Sequence, residues 1–271
     1  MRELKKISKL RNFHKPKQYS RLERTTYRIL FYLGFYILLT ASTALIIKFL
    51  CDHLYTVNSP YRTGYDSLLN LKPGLSLVPI VDFKSTIIHF NPSREYTYRG
   101  YLDAMAAFTR RYDHNSKREN SMMSCNNETV LTEEKSCLYD LDWAMDCNML
   151  QDYGFSAGSP CFILKLNRVY GWIPDVNKDE SNGINVRCEG TTPFDTSLIR
   201  KITYFDTRGH EISDTAEIPH YFFPYLGQEN YYSPIVFAKF YYPRKNVVIR
   251  ITCRAWAKNL NSSTSFELLL D

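Results

Sequence analysis

The stretch Ile29–Ile47, ILFYLGFYILLTASTALII, decides the architecture of this chain, because its nineteen residues carry no charge. Arg28 precedes it and Lys48 follows it. As an α-helix the stretch would be about 28 Å long, which matches a hydrocarbon core of about 30 Å. A signal peptide has a shorter apolar region and a buried core helix shows a polar face, so both alternatives are disfavoured. The pattern predicts one transmembrane helix over residues 29–49.

The residues before this span are strongly basic. Residues 1–28 hold ten Lys or Arg and two acidic residues, a net charge of +8, whereas the whole chain carries +6. Positively charged flanks stay on the cytoplasmic side of a membrane, so residues 1–28 are predicted to be a cytoplasmic tail. We therefore predict a single-pass type II membrane protein with its C-terminus outside. The basic tail suits contact with anionic membrane lipid, and no nucleic-acid partner is expected.

The rest of the chain has the composition of a mainly-β extracellular domain. Residues 50–71 are predicted to be a membrane-proximal connector, and residues 72–271 one extracellular domain. The 21 Tyr and 16 Phe residues favour strands. Strands are predicted at Thr86–Phe90, Phe162–Leu166, Ile199–Phe205, Ile235–Tyr242 and Val247–Ala255. Phe266–Leu270 is predicted to be a last edge strand or a frayed end. Several short strands separated by Pro and Gly turns indicate a β-sandwich.

One segment of this domain has a helical period. Between Ser93 and Tyr112, large apolar residues recur at spacings of three and four, which predicts a helix with one apolar face. The members of this stripe are Tyr98, Tyr101, Leu102, Met105, Phe108 and Tyr112. The face is expected to pack on a sheet, and docking of a partner is the alternative.

The cysteines indicate an oxidising compartment. Cys51 lies at the outer end of the span, and six further cysteines follow it in the predicted domain. They form no C-x-x-C motif and have no His at zinc-ligand spacing, so we expect three disulfides and no metal site. Six cysteines allow 15 pairings, and their spacing does not choose among them. Two sequons, at Asn127 and Asn261, predict N-glycosylation on an exposed surface.

Two motifs suggest enzymes, and both are rejected. Gly154–Gly158 matches the G-x-S-x-G elbow of a nucleophilic serine, but no buried strand precedes it and a β-run follows it. Asp140-Leu-Asp142 has the D-x-D form of metal-dependent glycosyltransferases, but the chain lacks the alternating strands and helices of a nucleotide-binding sheet. We predict no catalytic residue and no cofactor.

An ordered set of motifs, from Tyr27 almost to the C-terminus, resembles the beta subunits of the sodium/potassium-transporting ATPase. Within the span, Phe31-Tyr32-Leu-Gly-Phe35-Tyr36 is similar to the doubled Phe-Tyr motif of that family. The extracellular motifs are Lys72-Pro-Gly-Leu75, the pair Cys137 and Cys147 around Trp143, Pro160–Val169 with Gly171 and Pro174, Tyr221–Tyr225 with Gly227, and Ile249–Cys253. Each motif is weak alone, and their order makes the resemblance specific.

The resemblance implies a fold and a disulfide pairing. The fold is an immunoglobulin-like β-sandwich with one flanking helix. The implied disulfides are Cys125–Cys137, Cys147–Cys161 and Cys188–Cys253.

The resemblance also implies a function. Beta subunits are non-catalytic; they bind the P-type ATPase alpha subunit, support its folding and its transport to the plasma membrane, and tune cation transport. The implied contact residues for the alpha subunit are Tyr32, Gly34, Phe35 and Tyr36. Membrane lipid and a small single-span regulator of the FXYD type are the other expected partners. A lectin-like or cell-adhesion receptor that acts without a pump is the alternative.

The chain departs from the family pattern at several points. Tyr27 stands where the family usually has Trp, and Ile37 stands where it usually has Gly. The loop between Cys125 and Cys137 is shorter than usual, and the tail after Cys253 is brief. These departures fit a divergent, invertebrate-like paralogue.

The implied disulfides predict that reduction unfolds the extracellular domain. By chain entropy, the first two loops contribute about 3 kcal/mol each and the third about 4 kcal/mol. We expect dithiothreitol to abolish the near-ultraviolet circular dichroism of the full chain in detergent and to expose its ectodomain to trypsin. A reduced, alkylated chain that keeps its spectrum would contradict this expectation.

Overall fold

The computed structural model divides the chain into two units, residues 1–57 and residues 58–271. It describes residues 20–54, 60, 62–67, 70–80, 85–112, 122–139, 141, 144, 146–176, 182–207 and 211–271. Among these described residues, the first unit contains one long helix, and the second contains two large β-sheets, one two-stranded sheet and two shorter α-helices. The prediction of one apolar helix and a mainly-β domain with a flanking helix is therefore confirmed.

The long helix α1 spans Arg21–Leu54, 34 residues, and extends past both ends of the predicted span. It begins early because Ser20 and Glu23 form a capping box. The Glu23 N–H donates to Ser20 Oγ at 3.3 Å, and the Ser20 N–H donates to Glu23 Oε2 at 2.8 Å. At its C-terminal end the helix continues to Leu54, five residues beyond the predicted end of the span at residue 49. Within α1, residues 21–52 are exposed.

The second unit contains eleven described strands. In chain order they are β1 (Leu75–Val78), β2 (Ile87–Phe90), β3 (Met122–Met123), β4 (Ser136–Cys137), β5 (Cys161–Leu166), β6 (Gly183–Gly190), β7 (Lys201–Phe205), β8 (Ala216–Pro219), β9 (Ile235–Tyr241), β10 (Val248–Ala257) and β11 (Leu260–Leu270). One sheet has the order β1-β5-β9-β7 and is antiparallel throughout. The other has the order β2-β11-β10-β6-β8, with β2 and β11 parallel and the other pairs antiparallel. Strands β3 and β4 form a separate parallel pair.

The two sheets share one apolar core. Phe162 on β5 lies 5.0 Å, between ring centroids, from Phe266 on β11 of the other sheet. Along β10, buried and exposed residues alternate, as expected for a strand with one face on the core. The prediction that Phe266–Leu270 is an edge strand or a frayed end is wrong. The strand starts at Leu260 and lies inside the sheet, between β10 and β2. Because its parallel partner β2 is distant in sequence, the local residue pattern of β11 does not indicate that it is an inner strand.

The helix α2 spans Arg99–Thr109, with a 3₁₀ turn on either side. Met105 on its apolar face is completely buried, and the Tyr101 ring stacks on Phe155 at 5.9 Å. Tyr98 and Tyr112, at the ends of the stripe, are also buried. The stripe therefore packs inward, as expected, and is not a docking face. The short helix α3, Pro193–Leu198, starts with a second capping box between Thr192 and Asp195.

A single tyrosine joins the two sheets at the end of β8. Strand β8 pairs with β6 only from Gly183 to Val186, so beyond Val186 the β8 edge of β6 has no strand partner, although β10 continues on its other edge. The hydroxyl of Tyr204, on β7 of the other sheet, accepts from the Cys188 N–H at 2.7 Å and donates to the Cys188 carbonyl at 3.3 Å. Burial raises the pKa of Tyr204 to about 12, because the ionised form would lie in an apolar environment.

Tyr204→Phe should therefore destabilise the domain. The variant leaves the N–H and carbonyl of Cys188 without this hydroxyl, which lowers the free energy of unfolding by about 1–3 kcal/mol. In the native chain, the contribution of the Tyr204 hydroxyl to the free energy of unfolding is present below pH ~10. It is lost as the pH rises from there towards the raised pKa of Tyr204 in the folded state. Urea unfolding of the full chain in detergent, from pH 7 to 11, measures the difference.

Tyr242→Phe is the matched control, because Tyr242 is 58% exposed. It should unfold like the native chain at neutral pH. A Tyr204→Phe variant as stable as this control would show that the bridge contributes nothing.

Candidate subunit interface

The serine motif Gly154–Gly158 forms a tight loop and not a catalytic elbow. A 3₁₀ segment, Met149–Gly154, precedes the loop and β5 follows it. Gly154 and Gly158 have φ values of +77° and +66°, a region that favours glycine, so backbone geometry explains both. Ser156 is exposed on this turn. The loop offers no sign of nucleophilic catalysis.

The other enzyme-like features also lead to no site. Asp140 and Asp142 of the D-x-D tripeptide lie outside the described residues. Within the part of the chain that the structure describes, no group of three or more His, Cys, Asp or Glu side chains is arranged to hold a metal ion.

The helix α1 carries a continuous aromatic surface. The rings of Phe31 and Phe35 are stacked, with centroids 6.5 Å apart. Tyr32 lies edge-on to Phe31 at 5.6 Å, and Tyr36 lies edge-on to Phe35 at 5.5 Å. Tyr32, Phe35 and Tyr36 are 56%, 48% and 59% exposed. Four adjacent rings thus form one face of the helix, named here the aromatic face.

Gly34, the fourth predicted contact residue, lies on another side of the helix, as its position in the sequence indicates. At about 100° per residue, it lies roughly 160° round the helix from Tyr36. A Cβ atom built on Gly34 would have no atom within 4 Å, so this position is a notch in a different face. The structure therefore brings together three of the four predicted contact residues, Tyr32, Phe35 and Tyr36.

The side-chain hydroxyls of α1 differ in whether they have a hydrogen-bond partner within the helix. Ser42 and Thr43 donate to the Leu39 carbonyl, at 2.9 and 2.7 Å, so these hydroxyls need no partner outside the helix. The hydroxyls of Tyr32 and Tyr36 are too far along their rings to reach their own backbone. Among the described residues, no group hydrogen-bonds to either of them.

The segment predicted as the connector contacts the β-sandwich through two glycines. Gly171, with φ of +67°, lies against Thr63, so a Cβ on Gly171 would be 2.4 Å from Thr63 Cβ. A Cβ on Gly64 would in turn be 2.8 Å from the Gly171 carbonyl oxygen. The Gly171 N–H donates to the Tyr225 carbonyl at 2.8 Å. Sequence reasoning noted Gly171 only as part of a motif; its role here depends on a contact more than 100 residues away in the chain.

The cysteines form three disulfides. They are Cys125–Cys137, Cys147–Cys161 and Cys188–Cys253, the pairs that the resemblance implies. Cys188 and Cys253 lie directly opposite each other on neighbouring strands β6 and β10, so this bond joins two strands of one sheet. Cys51 is free and exposed. The sequon residues Asn127 and Asn261 are both exposed.

These features define a class: a disulfide-bonded β-sandwich that follows an apolar helix and carries no metal or serine-elbow site among its described residues. Comparison with known proteins then identifies the family. The sequence profile described as "Sodium / potassium ATPase beta chain" matches residues 9–268. The chain belongs to this family, whose members are non-catalytic ATPase subunits. The resemblance and the prediction that the chain is not an enzyme are thus confirmed.

Individual relatives agree with this assignment. The chain is 28% identical to "Sodium/potassium-transporting ATPase subunit beta-1" of Drosophila melanogaster, over 90% of this chain and 85% of that protein. It is also 28% identical to "Sodium/potassium-transporting ATPase subunit beta-2" of Rhinella marina, over 89% and 82%. "Potassium-transporting ATPase subunit beta" of Mus musculus is 26% identical, over 85% and 79%. None of these relatives is named as a lectin or an adhesion receptor, so the alternative function has no support.

The Gly171 contact gives a prediction for the connector. Gly171→Ala places a side chain in the left-handed region and against Thr63, which destabilises the local contact by about 1–3 kcal/mol. The exposed Arg62 next to Thr63 is a trypsin site. We expect cleavage after Arg62 to become about tenfold faster in the full chain.

Gly34→Ala is the matched control, since it adds the same methyl group at a position with open space. Its Arg62 cleavage rate should equal that of the native chain. Equal rates of cleavage after Arg62 in the two variants would show that the contact between Gly171 and Thr63 does not hold this segment in place.

Proposed function

We propose that this chain is the beta subunit of a sodium/potassium-transporting P-type ATPase, bound to the catalytic alpha subunit through α1. In this role it supports the folding of the alpha subunit, its transport to the plasma membrane, and its transport of Na⁺ and K⁺. Membership of the beta chain family supports the assignment. The observation that carries the interface is the aromatic face of α1.

The chemistry of a membrane favours a protein partner for this face. Lipid provides no hydrophobic drive between helices, so association depends on close packing and on polar contacts. Tyr32 and Tyr36 supply both, because each combines a large ring with a hydroxyl that has no intrachain partner among the described residues. In lipid such a hydroxyl would lack an acceptor, whereas a carbonyl of a neighbouring helix satisfies it.

The proposed orientation is type II, with the N-terminus in the cytosol. The net charge of +8 on residues 1–28 supports it, since cytoplasmic flanks of spans are enriched in Lys and Arg. The three disulfides and the two exposed sequons support an extracellular address for the β-sandwich. The domain limits 1–28, 29–49, 50–71 and 72–271 remain part of this proposal, with the helix itself continuing to Leu54.

The other faces of α1 have different proposed neighbours. The aliphatic residues away from the aromatic face suit contact with membrane lipid. The notch at Gly34 permits close approach of another helix on that side. A small single-span regulator of the FXYD type is the third partner in this proposal. Asn127 and Asn261 are the proposed glycosylation sites.

Removal of the tyrosine rings should weaken subunit assembly. In Tyr32→Ala/Tyr36→Ala, we expect recovery of a large P-type ATPase by pull-down in mild detergent to fall about tenfold, which corresponds to ~1.4 kcal/mol. Quantitative mass spectrometry of the eluate gives the ratio of the two subunits. Recovery with Tyr32→Phe/Tyr36→Phe should lie between that of the native chain and that of the double Ala variant, because the Phe variant keeps the rings and removes only the hydroxyls.

Leu33→Ala/Ile37→Ala is the matched control. It removes apolar volume at the same depth, about 100° further round the helix, and should leave recovery unchanged. Absence of any P-type ATPase from the native eluate would refute the proposed function. Equal losses in the tyrosine and control variants would refute only the position of the interface.

A further inference from the structure

The outer face of the five-stranded sheet contains an open groove beside a sequon. The groove has a volume of about 460 Å³ and is lined by Arg187, Glu189, Arg254, Trp256 and Asn261, among others. This volume lies within the range of about 300–1,000 Å³ that is typical of small-ligand sites. None of the lining residues belongs to the aromatic face of α1.

Trp256 is a large aromatic residue on a mainly polar strand face. It lies on the solvent face of β10, where its neighbours along the strand are Thr252 and Arg254, and it is 38% exposed. No other described aromatic ring packs against it. An exposed indole in a polar groove commonly marks a contact site, because its large apolar surface is stabilised when it is covered.

The strand register places Asn261 directly beside this indole. Trp256 on β10 pairs with Asn261 on β11 across the hairpin. Directly opposed residues of antiparallel strands point to the same face, with Cβ atoms about 5 Å apart. Both side chains are exposed on that face.

The hairpin that carries both residues is held at its tip. The Lys258 N–H donates to the Asp175 carbonyl at 3.1 Å, and Asn259 Nδ2 donates to the Ile173 carbonyl at 2.8 Å. The Asp175 N–H donates to Asn259 Oδ1 at 2.9 Å. The relative position of Trp256 and Asn261 is thus set before any ligand is added, which lowers the entropic cost of binding one.

We propose that this groove is the docking site of the innermost sugars of an N-linked glycan on Asn261. Attachment joins the Asn261 amide nitrogen to C1 of an N-acetylglucosamine. The lipid pyrophosphate of the oligosaccharide donor leaves with the electrons of the broken C1–O bond, and the amide proton passes to a base. One face of the pyranose ring presents C–H groups, which pack on the electron-rich face of the Trp256 indole.

The charged residues of the groove complement the polar parts of the sugar. Arg254 Nη2 lies 3.9 Å from Glu189 Oε1, and both side chains are about half exposed, so each keeps free hydrogen-bonding capacity. Arg187 stands opposite Arg254 on β6. The guanidinium groups donate to the acetamide carbonyl and the ring hydroxyls, and Glu189 accepts from a hydroxyl. The docked glycan covers the sheet face, so that no protein partner binds there.

The inference rests on the proposed type II orientation, because the sequon must reach the lumen where glycans are added. The test uses the full chain, purified from eukaryotic cells in detergent. Peptide-N-glycosidase is added under native conditions, and mass spectrometry follows glycan release at each site. Asn127, which lies on an exposed turn, is the reference site in the same molecule.

In the native chain, release at Asn261 should be about threefold to tenfold slower than at Asn127, the range expected for one aromatic contact. Denaturation should abolish this difference. Trp256→Ala should raise the rate at Asn261 by the same factor and leave Asn127 unchanged, and Trp256→Phe should restore part of the protection. Val248→Ala is the control on the same strand and face, paired far from the sequon with Leu269.

Several results would overturn the proposal. Equal release at both sites in the native folded chain would show an undocked glycan and leave this face free for a protein partner. An equal acceleration at both sites in Trp256→Ala would show a general loosening of the fold. A glycan on Asn127 and none on Asn261 would refute the inference but not the orientation. Absence of both glycans would refute the inference and count against the orientation as well.

Discussion

The packing of Phe162 between the two sheets is the contact on which the β-sandwich depends. Its ring lies 5.5 Å from Phe240 in its own sheet and 5.0 Å from Phe266 in the other. Phe155, from the loop that precedes β5, approaches it at 6.0 Å and also stacks on Tyr101 of α2. Each sheet has one apolar face that must be covered, and this cluster covers both faces and the helix at once.

Tyrosine hydroxyls complete the backbone hydrogen bonding around that core. The Tyr139 hydroxyl donates to the Ile235 carbonyl at 2.6 Å and accepts from its N–H at 3.0 Å. The Tyr112 hydroxyl donates to the Ser233 carbonyl at 2.7 Å, and Tyr204 satisfies Cys188 in the same way. Buried backbone groups without a partner are destabilising. The 21 tyrosines of the chain therefore do more than favour strands, since several replace strand partners where pairing stops.

The two units of the chain differ in how much of their apolar surface is buried. The β-sandwich covers its own apolar surface and is closed by three disulfides. The helix α1 is exposed along residues 21–52, and its aromatic face lies on this exposed surface. The proposal that this surface binds the alpha subunit is consistent with membership of the beta chain family. The connector at Thr63, held by Gly171, belongs to the self-contained part.

Composition and local period were enough to predict the apolar span, the charge asymmetry, a helix that covers Arg99–Thr109, and most of the long strands. The family motifs also carried the pairing of the cysteines. Three features follow only from the folded structure: β11 is an inner strand, Gly171 lies against Thr63, and Trp256 lies beside Asn261. These features depend on strand register and on contacts between distant segments, and no local pattern of residues specifies such relations.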